Sequence, residues 1–551
     1  MSEIDRYEYI VTLNNREDLP NFYDDMETPG GDLYIPDRAV AVASRRHISR
    51  NTHYYLTEQE ADLLKNDPRV LAVSRLPRDL GMIPISHWQQ TGKFEKSTAV
   101  QSTDKNWGLA RIVNGVQTDN WGSNGLFNEL QTSITTDSAG EHVDVVIVDA
   151  HINPNHPEFA VNEDGTGGTR VIQYNWFQHQ AAVGLSGLGT YSYTSFTSNH
   201  GTHVAGTVAG NTQGWARKSN IYYMEFNYSP FPQPDGWAVY LFDFIRAWHN
   251  SKPINPITGR RNPTVTNNSW GYSYGNISLS AITSVTYREA TTDLTGLSTA
   301  AKKIQLENNG VPVPGGTYLF RTPARNYALD ADVIDAVEDG IIVVASAGNS
   351  YWNMTNDPTH PDYNNNVFDG GVLYHSNGSS PGAAEGAICV GALGTSTQEY
   401  KINFSNYGDR IDIWAPGQNI ISSVFNSTAA SEFGISLAND PRNSVFKIGS
   451  ISGTSMASPQ VAGVIACMMS RYPNYTSQEL YNYLIANTKT GQIGTTNGNH
   501  GDYTNIRDSV NKYLYFPVER VQQGTAFPDV SYDLRPTTGN IYPRLRIRRR
   551  G

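Results

Sequence analysis

Cysteine is almost absent: Cys389 and Cys467 are the only two in 551 residues. Two such residues build neither a disulfide framework nor a zinc-type ligand set. Both sit in small apolar surroundings ("GAICVGAL", "VIACMM"), where cysteine behaves as a small buried hydrophobe. No apolar run reaches the length of a membrane span, so no membrane partner is expected. The first residues, "MSEIDRYEYIVTLNNRED", lack the basic and apolar regions of a Sec signal. The expected location is therefore the cytoplasm, export by another route, or a larger particle such as a virion. Positive charge is also scarce. The net charge is −11, which argues against nucleic acid as a partner. One exception is the terminal "RLRIRRRG", with Arg544, Arg546, Arg548, Arg549 and Arg550. It reads as a solvated tail, or as a contact for an acidic partner in a larger assembly.

What is present is alternation. Residues 1–76 read as a small α+β unit: strands at 7–14, 39–44 and 69–76, and a helix over 56–68. Thr57 and Glu60 form a capping-box pair at its start, and Pro68 closes it. Residues 77–105 are polar and irregular, as in a linker. From 106 to 490 short apolar strands (143–150, 219–226, 263–270, 340–348, 387–393) alternate with helices (200–210, 238–249, 329–339, 458–471). The near-continuous Val/Ile runs suit parallel strands buried on both faces. The pattern predicts an α/β fold with a doubly wound, mostly parallel sheet, plus the smaller α+β domain. Residues 491–551 read as an extension or arm.

In such sheets functional groups collect at the carboxyl ends of strands. Asp149 ends the strand "VDVVIVDA", His200 opens the small-residue helix "HGTHVAGTVAG", Asn349 ends "IIVVASAGN", and Ser455 lies in "SGTSMASPQVAG". Each alone is explained by capping or by a turn. Together they supply the orienter, base and nucleophile of acyl transfer, with an amide donor for the oxyanion.

These stretches resemble the subtilisin-like serine proteases (subtilases). The resemblance rests on "VVIVDAHINPNHPEF", "HGTHVAGTVAG", "VVASAGN" and "GTSMASPQVAG", with "NNSWG" (267–271), "FSNYGDRIDIWAPG" (404–417) and "NWGLARI" (106–112) as lesser marks. The order Asp, His, Ser is that of subtilisins. The resemblance implies a serine endopeptidase acting on proteins or peptides without a cofactor. It assigns Asp149, His200 and Ser455 as the triad and Asn349 to the oxyanion hole, with His203 packing inside its helix. Substrate is expected as an added strand beside Ser269, Trp270 and Gly271, with Ser346, Ala347 and Gly348 as the opposite wall of a pocket roomy enough for a large apolar side chain. Trp270 is expected either to narrow a neighbouring apolar pocket or simply to pack in the core.

Residues 1–76 resemble, more weakly, the inhibitory propeptides of that family, which implies a maturation site within 77–105. Two departures stand out. The family has Ser or Thr and then Gly after the catalytic Asp, whereas this chain has Ala150 and His151. The long calcium-binding insertion of the His200 helix is missing, and no metal site is assigned. Asp357, Asp362 and Asp369 lie in an Asn/Asp-rich stretch that suits either calcium or a solvated loop. Long polar insertions, 272–328 among them, would form cleft rims or docking surfaces. The alternatives are a catalytically silent docking protein on the same scaffold and the related Ser-Glu-Asp carboxyl peptidases. The His200 base argues against the latter.

Overall fold

The computed structural model describes residues 6–31, 33, 41–46, 48–86, 107–115, 138–193, 198–228, 231, 236–313, 316–319, 321–395, 399–426, 428–435, 437–494 and 504–516. Most of the linker and the arginine-rich tail lie outside the described residues. At the centre is a sheet of nine described strands. In spatial order they are Lys489–Thr490, Lys512–Tyr513, Ile413–Pro416, Ile388–Leu393, Ile342–Ser346, Thr264–Asn268, Asp144–Asp149, Asn220–Glu225 and Val171–Ile172. Every pairing is parallel except that of Lys489–Thr490.

Strand alternation sends Val145 and Ile147 into one core with the helices Asn199–Ala209 and Thr454–Arg471. Val146 and Val148 enter a second, aromatic-rich core with the helices Leu241–Ser251 and Tyr327–Glu338. Helices on both faces leave the strands apolar throughout, as the Val/Ile runs required. From Asp144–Asp149 the chain moves out to the edge strand Val171–Ile172, steps back to Asn220–Glu225 beside Asp144–Asp149, and then crosses to its other side at Thr264–Asn268. Strand order therefore reverses beside Asp149, where a crevice opens at the carboxyl ends.

The N-terminal unit is an antiparallel four-stranded sheet, in order Ala41–Arg45, Asn51–Leu56, Tyr7–Leu13, Val70–Arg75. With helices Leu19–Glu27 and Glu58–Leu64 it makes a β-α-β-β-α-β unit. The capping box forms as expected: the Thr57 N–H donates to Glu60 Oε2 (2.8 Å) and the Glu60 N–H to Thr57 Oγ1 (3.2 Å). Two expectations need correction. The irregular reading of 77–105 fails at Met82–Ser86, a strand that exists because Trp270–Tyr274 offers it an antiparallel partner. The arm reading of 491–551 fails at Lys512–Tyr513, which extends the main sheet and buries Tyr513, Leu514 and Phe516.

A buried ionic cluster ties the small unit to the two helices of the second core. Arg46 Nε donates to Asp243 Oδ2 (2.8 Å) and its Nη2 to Asp332. Ser49 Oγ (2.5 Å) and Asn51 Nδ2 (3.0 Å) reach the other Asp332 oxygen, while Arg50 Nη2 pairs with Asp335 (2.6 Å). Burial and the nearby Asp243 carboxylate push the Asp332 pKa up to about 7, against the pull of Arg46. Removing one partner from such a cluster strands a buried charge, at a cost of about 3–5 kcal/mol. Arg46→Ala is therefore expected to lower the unfolding midpoint and to speed amide exchange in Tyr7–Leu13 and Asn51–Leu56. Exchange unchanged in both strands would show that the ions do not hold the units together.

Candidate active site

Asp149 is the last residue of a central strand and fully buried. A carboxylate there must find donors. Its Oδ1 accepts from the Ala150 N–H (2.8 Å) and lies 2.8 Å from His200 Nδ1. Oδ2 has no hydrogen-bond partner among the described residues. Ala150 offers no side-chain donor to it. His151 turns to Glu225, on the neighbouring strand, with Nε2 and Oε2 3.2 Å apart.

His200 enters from the first turn of its helix, which Ser198 caps by accepting from the Gly201 N–H (3.2 Å). Gly201 permits the approach, since a Cβ there would lie 2.5 Å from the His151 carbonyl oxygen. His200 is 3% exposed, and its Nε2 has no partner among the described residues. His203 is a packing residue, as expected. Its Nε2 lies 2.8 Å from the Ile420 carbonyl, and burial pulls its pKa down to about 3.

Ser455 is not the helix cap. Gly453 holds that place, and Ser455 is the second residue of Thr454–Arg471. Its Oγ donates to the Ser269 carbonyl (3.1 Å), and Ser269 Oγ donates to the Ser455 carbonyl (2.9 Å). Behind this pair, Asn267 Nδ2 donates to Ser269 Oγ (2.9 Å), and Asn267 Oδ1 accepts from Ser458 Oγ (2.5 Å). His200 and Ser455, the expected base and nucleophile, lie on helices packed against one sheet face, and no hydrogen bond joins them among the described contacts.

Asn349 follows Gly348, whose φ of +102° only glycine adopts without strain. Asn349 Oδ1 accepts from the Thr454 N–H (2.9 Å) and Oγ1 (2.7 Å), which aims the amide nitrogen. That Nδ2 is buried with no partner among the described residues. A buried, unspent N–H pair beside a serine at a helix start suits an oxyanion. Thr454 is the residue sequence reasoning missed here, although it stands one position before Ser455.

The residues expected as pocket walls are held by hydrogen bonds. Ser346 Oγ donates to the Asn268 carbonyl (3.4 Å), the Ala347 N–H to Val390 (3.0 Å), and the Gly348 N–H to Thr454 Oγ1 (3.1 Å). Trp270 is fully buried, stacked on Phe226 at 5.5 Å between centroids, so core packing accounts for it. Gly271 lies opposite Ile85 in the strand pair with Met82–Ser86. A small pocket opens beside Asn349, lined also by Tyr272, Ser273, Arg321, Pro323, Ser379 and Asn406. Arg321 and Ser379 come from long insertions and carried no sequence signal.

The Asn/Asp-rich stretch is used internally. Asp362 accepts from Arg288 Nε (2.7 Å) and Asn353 Nδ2 (3.1 Å), and Asp357 from the Thr359 N–H (2.8 Å). Among the described residues no group of three or more His, Cys, Asp or Glu is arranged to hold a metal, and no helix is long and apolar enough to cross a membrane. Cys389 and Cys467 are buried and unpaired with each other, and burial raises the Cys389 thiol to about 12.

Residues 140–504 match the model of the subtilase family. Among curated proteins, the chain is 27% identical over 349 residues to alkaline protease 1 of Emericella nidulans, covering 62% of this chain and 57% of that protein. It is 26% identical over 487 residues to a subtilisin-like protease of Coccidioides posadasii, covering 85% and 75%. The chain thus spans less than two thirds of the length of the Emericella protease. Among solved structures, fervidolysin from Fervidobacterium pennivorans, a keratinolytic enzyme related to subtilisin, aligns with a TM-score of 0.48 and 19% identity, covering 93% of this chain and 60% of that one.

The clamp on Asn349 gives a test of the site's construction. Thr454→Val removes one donor to Oδ1 and the acceptor of the Gly348 N–H, a loss of about 1 kcal/mol or more. Thr454→Ser keeps both. Urea unfolding is expected to show Val destabilised and Ser close to the parent; equal losses would assign the effect to packing instead.

Proposed function

We propose that this chain, which belongs to the subtilase family, is a serine endopeptidase that processes itself. The observation that carries the reading is the buried Asp149–His200 contact at 2.8 Å, with His200 Nε2 buried and without a hydrogen bond among the described residues. In the proposed cycle Ser455 Oγ turns from the Ser269 carbonyl to His200 Nε2. Such bonds are often unmade until substrate arrives. Oγ then adds to a peptide carbonyl carbon while its proton passes to Nε2. Asp149 holds the imidazole by Nδ1 and stabilises its charged form. Asn349 Nδ2 and the Ser455 N–H receive the oxyanion. Collapse expels the amine, which takes the proton from Nε2. Water, deprotonated by the same nitrogen, then hydrolyses the acyl-enzyme and returns the hydrogen to Ser455.

The N-terminal unit is proposed as the inhibitor of this cleft. Support comes from Met82–Ser86, which pairs antiparallel with Trp270–Tyr274, so that Gly271 faces Ile85 and Trp270 faces Ser86. Main-chain pairing of this kind is how an extended peptide substrate would be read. A chain laid along that track would be cut on the C-terminal side of Ser86, within the expected 77–105 region.

Two outcomes check this reading. Purified chain is expected to yield a fragment whose new N-terminus falls between 87 and 105, and to react with a fluorophosphonate probe. Ser455→Ala should abolish both. An intact, unreactive parent chain would sink the proposal. Separately, Asn349→Leu is expected to lower kcat by about 10²–10³ with little change in KM. A fall in binding alone would move Asn349 out of the oxyanion role.

A further inference from the structure

The crevice that holds Asp149 and His200 contains a second carboxylate–imidazole pair to which the proposed cycle gives no task. Asp149 and Glu225 are register partners on adjacent parallel strands, so their side chains leave the same face of the sheet. It is the face on which Ile147 and Tyr223 join the core with the Asn199–Ala209 helix. Two carboxylates thus stand side by side, and each meets an imidazole. His200 Nδ1 lies 2.8 Å from Asp149 Oδ1, and His151 Nε2 lies 3.2 Å from Glu225 Oε2. The first pair is buried, whereas the His151 side chain is 26% exposed and exchanges protons with solvent.

The other titratable groups described around these pairs are uncharged at neutral pH. The Glu225 N–H donates to the Tyr191 hydroxyl (3.0 Å), and Tyr193 and Tyr223 also lie within reach of the Glu225 charge. Burial holds all three phenols above their usual range. Burial also keeps His203, which feels the charge of His200, neutral, with its pKa down at about 3. Resting on the endopeptidase reading, we propose that His151 and Glu225 are positioning residues that act through the Asp149–His200 contact and set the pH at which His200 takes the Ser455 proton. A bare Glu225 carboxylate holds a proton on His200 more firmly, and a protonated His151 cancels that pull. The two imidazoles therefore lose their protons as a coupled pair. Neighbouring strands lie about 4.8 Å apart, and charges within about 8 Å of each other in such a crevice move a titration by about one pH unit.

The test follows the rate of fluorophosphonate reaction at Ser455 against pH in the full chain, for the parent, His151→Lys and His151→Gln. Lysine keeps Glu225 beside a fixed cation, and glutamine leaves it bare. The acid limb is expected lowest on the pH axis for His151→Lys, highest for His151→Gln and between them for the parent, with about one pH unit across the series. Adding Glu225→Gln to His151→Gln should bring the limb back down. The His151 series decides the matter even if the double variant fails to fold. A purely structural role would leave the limbs together or move both His151 variants the same way. Either result overturns the inference while the endopeptidase reading stands. No reaction of any form at any pH overturns both.

Discussion

A carboxylate buried at the end of a central parallel strand is the constraint around which the molecule is arranged. Asp149 is inaccessible to water, so its charge must be met by donors that the fold delivers. One is its own following amide, and the other is an imidazole. To bring that imidazole within 2.8 Å, the N-terminus of Asn199–Ala209 must press against the turn at Ala150 and His151. The contact leaves no room for a Cβ at residue 201, which explains why glycine interrupts the two histidines there. The reversal of strand order beside Asp149 does the rest. It opens the crevice into which the Ser455 helix and the Asn349 turn both deliver their first residues.

The N-terminal unit meets the large domain by two kinds of contact that differ in what they demand. Arg46 and Arg50 against Asp243, Asp332 and Asp335 form a geometrically exacting, buried lock. Such locks add little net stability over apolar packing but penalise misplacement heavily. Met82–Ser86 against Trp270–Tyr274 is main-chain pairing, almost indifferent to side chains. The first fixes how the unit is placed, and the second occupies one edge of Trp270–Tyr274, which can pair with one strand at a time.

Five of the nine described strands of the main sheet were legible, because burial on both faces demands apolar runs that stand out in the sequence. Asp149, His200, Asn349 and Ser455 drew notice as candidates because each sits at or near the end of a strand or the start of a helix. Met82–Ser86 was not, since a five-residue strand interrupted by Pro84 has no signal apart from its partner, which lies far along the chain. Lys512–Tyr513 was missed for the same reason at even shorter length. Thr454 looked like any small residue ahead of a helix. Its role depends on the approach of Asn349, a contact spanning 105 positions. The pocket floor was illegible because it is assembled from insertions whose path no local pattern records.

Ala150 shows how much of the site is over-determined. Without a side-chain hydroxyl at that position, Asp149 Oδ2 is left without a described hydrogen bond, and an orphaned buried acceptor costs about 1–3 kcal/mol. The sheet bears that cost because Asp149 is fixed by strands on both sides, in register with Glu225 and next to Asn268. The bulky ring at position 151 stays clear of this carboxylate, because it faces Glu225 on the adjacent strand. The Ala150–His151 turn therefore weighs on stability and leaves the Asp149–His200 contact at 2.8 Å.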